Sequence, residues 1–169
     1  DDVFMYSRAP NNAVIPIGEF SATSGAVVSA GFGSSLGVQN AVTWRVGGLG
    51  TDATNAALIQ GTTSLIKEGS GTWVLTGANT YSGSTAVQGG TLLVNGDQSA
   101  ANGLVTVAPG ARLGGSGIIG GNTVVNGILV PGNPIGTLRF AGNLTFGSGI
   151  ALMEINKELG IHDAVVVAG

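Results

Sequence analysis

Apolar residues along this chain fall in clusters of three to five, most of them rich in β-branched side chains. Clear examples are TWVL (72–75), TLLV (91–94), LVTV (104–107), TVV (123–125), ILV (128–130), TLRF (137–140), NLTF (143–146) and DAVVVAG (163–169). Between them lie GAN, GGN, NG, APG and PGNP, which are turn formers: Gly and Asn tolerate positive φ, and Pro sets φ at a first corner. Helix is hard to place, because an interior Gly costs about 1 kcal/mol relative to Ala and few windows escape one. The best helical candidate is EINKELGIHD (154–163), which Gly160 would interrupt.

Strands this short bury too little to stand as isolated hairpins. They suit a solenoid, in which each strand pairs with its counterpart in the coil above and below. Similar starts recur as GGTLLVNG, PGARLGGSG, NGILVPGN and IGTLRFAGN, with Leu92, Leu113, Leu129 and Leu138 as equivalent inward residues. Their intervals of 21, 16 and 9 read as one coil, one coil and half a coil. Seven or so coils, at about 4.8 Å each, predict a rod of about 35 Å.

Composition agrees with a wall-like scaffold. Charged residues are 9% of 169, far below the roughly 25% usual for soluble domains. Glycine, at 31 residues, is more than twice its usual share of roughly 7%. The 28 residues from 69 to 96, and again 113–138, hold no charged side chain, so these stretches offer shape and backbone in place of acids and bases. Charges in such a rod are expected only on outward faces. Disorder is excluded by an apolar fraction of 43% with a net charge of only −3. Six basic residues (Arg8, Arg45, Lys67, Arg112, Arg139, Lys157) make no phosphate-gripping stripe, which excludes nucleic acid as a partner. No apolar run is long enough for a membrane helix, so membrane insertion by this segment is not expected. The start, DDVFMYSRAP, lacks an initiator Met and an apolar signal core, and reads as a mature or excised N-terminus. The absence of cysteine suits an exported protein.

LIKEGSGTWVLTGANTYSGSTAVQGGTLLVNG (65–96) resembles the autotransporter-associated β-strand repeat of bacterial surface proteins. The matching positions are Lys67, Gly69, Gly71, Trp73, Leu75, Gly77, Asn79, Tyr81, Gly83, Thr85, Gly90, Thr91 and Leu92. Its continuation, with LGGSG, PGN, GTLRFAGNLTF and HDAVVVAG, resembles the C-terminal part of autotransporter passengers, and NAVTWRVGGLGTDATNAALIQG (40–61) resembles a lead-in. The resemblance implies an all-β, single-stranded, right-handed parallel β-helix, secreted and displayed at the bacterial cell surface. It divides the chain into an N-terminal β-rich segment over 1–40, a cap or an arm, and a repeat domain over 41–169. The open edge at AVVVAG points to further β-helix repeats, or copies of the chain, as stacking partners, with a host or cell-surface protein or glycan as possible side-face partner.

Several residues invite sharper chemistry. Trp73 and Tyr81 have faces that stack on sugars, although core packing is the commoner use of such rings. His162 and Asp163, with Ser148, name the members of a hydrolytic triad, but no nucleophile-elbow sequence is present. Glu154, Glu158 and Asp163 are candidate carboxylates for glycoside cleavage; on a helix Glu154 and Glu158 would be an ordinary solvated pair beside Lys157. GGSGIIGGN lacks the Asp of calcium-binding solenoid repeats, and one His without Cys cannot build a zinc site. GFGSSLG (31–37) mimics a phosphate loop without a strand–helix context. The expected function is therefore a non-catalytic structural or interaction module, an adhesin-like stalk or binding surface without cofactor, metal or catalytic residues. A fibre protomer and a polysaccharide-degrading enzyme on the same scaffold are the alternatives.

Overall fold

In the computed structural model, residues 4–6, 10–30, 40–132 and 134–169 are described. The chain winds into a parallel β-helix with three faces, and no helical element occurs among the described residues. The first face stacks seven strands in chain order: Ala13–Ile17, Val42–Val46, Thr63–Lys67, Thr85–Val87, Val105–Val107, Thr123–Val125 and Leu144–Phe146. The second stacks six, from Ala53–Asn55 through Thr72–Leu75, Thr91–Val94, Arg112–Gly115 and Ile128–Pro131 to Ile150–Ala151. The third side of the winding is two sheets, one of Phe4–Tyr6, Val27–Ser29 and Leu58–Gln60, the other of Asp97–Gln98, Ile118–Ile119, Thr137–Phe140 and Ala164–Val167. The apolar clusters of the sequence are thus the rungs.

Alternation sets which side chains turn inward. In a strand, successive side chains leave opposite faces, so a cluster such as TWVL sends Trp73 and Leu75 to the core and Thr72 and Val74 outward. Parallel register then stacks like on like. Leu92, Leu113 and Leu129 are Cα partners and fully buried, so the intervals of 21 and 16 are each one coil. Leu138 is equally buried but belongs to the third face, opposite Val165. It is therefore not equivalent to the other three: the interval of 9 carries the chain from one side of the triangle to the next.

The described strands before position 40 run in the same sheets. Ala13–Ile17 pairs in parallel with Val42–Val46 over five Cα partners, and Phe20 packs its ring on Trp73 with centroids 6.0 Å apart. GFGSSLG lies outside the described residues.

EINKELGIHD is not a helix. Ile155–Asn156 pairs antiparallel with Ile161–His162, making a hairpin between the last strand of the second face and the last of the third. Gly160 takes φ +65°, and Asn156 Oδ1 accepts the Leu159 amide at 3.0 Å, closing the turn. A Gly in the left-handed region and an Asn that bonds its own turn outcompete helical propensity here.

Candidate functional site

The repeat motif of residues 65–96 resolves into three structural parts. Lys67 opens it. This side chain points inward, in the column of Val46, Val87, Val107 and Val125, and is 1% exposed. Charges are therefore not confined to the outward faces as expected. The ammonium is tolerated because its Nζ donates to the carbonyls of Glu68 (2.6 Å), Gly69 (3.4 Å) and Gly89 (3.2 Å), tying one coil to the next. Burial pulls its pKa below the ordinary lysine value, against the opposing pull of the Asp52 and Glu68 carboxylates. Gly69 makes this corner possible: it adopts φ +70°, and a Cβ there would run into the carbonyl of Gly47.

Trp73 and Tyr81 form the second part. Trp73 is 1% exposed and donates its Nε1–H to the Phe20 carbonyl at 2.9 Å, so both the ring and its polar edge are satisfied internally. Tyr81 is equally enclosed; its hydroxyl donates to Gln98 Oε1 at 3.3 Å and shares a 2.7 Å hydrogen bond with Thr85 Oγ1. Burial raises the phenol pKa to about 12, and the Thr85 bond moderates the shift. Neither ring offers a face to a sugar.

Asn79 is the third part. Between Leu58–Gln60 and Asp97–Gln98 the third side has no strand, and GANTYS (77–82) bridges the gap. Asn79 Oδ1 accepts the Ile59 amide at 2.8 Å, while Thr80 N donates to Ile59 O at 2.8 Å. A side-chain amide thus completes a rung that the backbone leaves open. Similar staples join other coils, as where Asn95 Oδ1 accepts Ser116 N and Asn122 Oδ1 accepts Asn143 N.

The residues singled out for catalysis sit in unrelated settings. Ser148 Oγ donates to the Asn126 carbonyl at 3.3 Å. His162 Nδ1 meets the carbonyl of Asp163 at 2.8 Å, so no carboxylate orients the imidazole through that nitrogen. Asp163 is 3% exposed and accepts from Gly136 N (3.0 Å) and Glu154 N (2.8 Å), clamping the base of the hairpin to the preceding corner. Because the segment is a hairpin, Glu154 and Glu158 are not four apart on a helix face: Glu154 lies at the base and Glu158 in the turn. Among the described residues no three His, Cys, Asp or Glu side chains gather as a metal-binding set.

Two surface features were not singled out in the sequence. On the outer side of the second face a cleft of about 300 Å³ has Leu93, Val130, Pro134 and Leu152 in its lining, with Arg112 and Glu154. Of the twelve exposed large apolar residues among the described residues, nine fall between 146 and 167: Phe146, Ile150, Val166 and Val167 on the last rung, and five on or beside the hairpin. The spacing of Ile155, Leu159 and Ile161 was a signal, but a helical reading hid it.

Comparison with known proteins fits this architecture. Residues 65–94 match the family described as the passenger-associated-transport-repeat. The chain is 48% identical over 82 residues to the "Adhesin BmaC autotransporter" of Brucella suis biovar 1 (strain 1330), covering 47% of this chain and 2% of that protein. It is 38% identical over 92 residues to the "Extracellular serine protease" of Serratia marcescens, covering 54% of this chain and 8% of that protein. The chain therefore spans a small fraction of either relative. The repeat-family match falls on the very corner, ring and staple residues that build the coil, and over about half of its length the chain is similar to an autotransporter adhesin and an extracellular protease.

Proposed function

We propose that this chain is a stiff segment of an adhesin-like passenger, holding distal parts away from the cell and offering its side faces for contact. The supporting observation is the unbroken seven-strand parallel sheet of the first face, cross-linked by Lys67 and the Asn staples. Coil-to-coil hydrogen bonds run along the rod axis, so bending or stretching must break many bonds together. The adhesin name of the Brucella relative favours this reading. A non-catalytic role is supported by the engagement of Ser148 and His162 with backbone carbonyls, and by the 8% overlap with the protease. The test is to excise one whole coil, residues 85–104, from the passenger displayed on cells. Adhesion should persist, because Val105 inherits the register of Thr85. Its loss in a variant that still folds and is displayed would assign the contact to that coil and end the spacer reading.

A fibre is the second reading, favoured by the last rung. Strands Leu144–Phe146, Ile150–Ala151 and Ala164–Val167 each have a sheet neighbour on one side only, and they expose Phe146, Ile150, Val166 and Val167. Further coils or other copies of the chain would cover them. Concentration-dependent filaments under the electron microscope support stacking of copies; their absence at high concentration removes it.

A further inference from the structure

The hairpin and the cleft have complementary chemistry. The hairpin exposes Ile155, Leu159 and Ile161, at 77%, 69% and 45%, and its turn carries one cation and one anion, Lys157 and Glu158. The cleft has an aliphatic and proline lining, with one cation, Arg112, and one anion, Glu154. Among the described residues the ion pair is Arg45–Glu68, and none of these four charges takes part in it. Asp163 fixes the hairpin base by accepting from Glu154 N and Gly136 N, and it also lines the cleft, so the projection and the recess are held together as one unit.

We propose that two copies of this chain pair side by side, the hairpin turn of each entering the cleft of the other. The apolar flanks of the turn meet the apolar lining, Glu158 meets Arg112, and Lys157 meets Glu154. Because projection and recess lie beside each other, a two-fold axis satisfies both at once, and every contact is made twice. A ligand of one charge would leave either Arg112 or Glu154 unanswered, whereas a second copy answers both. The arrangement is lateral and is independent of stacking at the last rung.

Sedimentation equilibrium of the 169-residue chain tests it, with circular dichroism and thermal unfolding confirming that each variant is folded. A monomer–dimer equilibrium is expected. Leu159→Asp should weaken pairing at least about tenfold, since it puts a charge in the apolar contact. Arg112→Glu and Glu158→Arg should each weaken it about fivefold, and the double variant should recover. A parent that stays monomeric at every concentration overturns the proposal, as does a dimer indifferent to Leu159→Asp or a double variant no better than the singles. Association lost through Phe146→Asp but not Leu159→Asp would also overturn it and assign self-contact to the last rung.

Discussion

Ile59 donates its backbone amide to the side chain of Asn79, 2.8 Å away and one coil on, where no strand follows Leu58–Gln60 on the third side. A carboxamide oxygen stands in for a peptide carbonyl where, among the described residues, the third side lacks a strand between Leu58–Gln60 and Asp97–Gln98. Asn79→Ala leaves the buried Ile59 N–H without its acceptor and should lower unfolding stability by about 1–3 kcal/mol. Urea denaturation reads this directly, and an unchanged midpoint would show that the staple is redundant.

Lys67 is a harsher case, because a buried ammonium helps only while its carbonyl partners compensate for lost hydration. Lys67→Met keeps the stem and removes the donor from Glu68, Gly69 and Gly89. We expect a loss of about 2 kcal/mol, the scale of a hydrogen bond to a charged group. A stabilised Met variant would mean that desolvation outweighs the three bonds.

Trp73 fills the core against Phe20 and stacks in register between Ala53 and Leu92. Trp73→Ala should cost about 3–5 kcal/mol, most of it from the cavity left behind. Quenching is the complementary measurement: acrylamide should barely reach the indole in the folded protein, and ready quenching would place the ring at the surface.

Tyr81 makes stability fall in alkali. Its phenol pKa is raised from 10.0 to about 12 in the folded chain, so folding favours the protonated form. The contribution is complete below about pH 10, where both states are protonated, and is lost as pH rises from about 10 to about 12. Tyr81→Phe should flatten this limb of the stability curve, and a variant with an unaltered alkaline fall would sink the assignment.

Trypsin distinguishes rung from projection. Arg45, Lys67, Arg112 and Arg139 lie in paired strands, whereas Lys157 lies in the exposed hairpin turn. Among these five, cleavage is expected after Lys157 first, with the coils intact. Early cutting after Arg112 or Arg139 would contradict a continuous, cooperative wall.

Most of the rungs were legible in the chain itself. TWVL, TLLV, TVV and TLRF are strands with those very bounds, because a three- or four-residue β-branched cluster between Gly-rich turns has few other uses. The in-register leucines Leu92, Leu113 and Leu129 were legible too, since parallel stacking repeats the same side chain at each coil. The hairpin at 155–162 was misread, because its four polar or charged residues, Asn156, Lys157, Glu158 and His162, mask two two-residue strands held by one Asn and one Gly.

Alternation, glycine placement and scarcity of charge are local properties, and they alone determined that this chain coils into stacked parallel rungs. Tertiary structure decided the rest, because it depends on what lies one coil away. Only the stacking showed that Lys67 turns inward onto carbonyls of its own and the next coil, that Asn79 completes a missing rung, and that Arg112 lines a cleft with Glu154, 42 positions further along the chain. The physical reason is that inter-coil hydrogen bonds and burial join residues about 20 apart, a distance at which no local pattern reports what a side chain will touch.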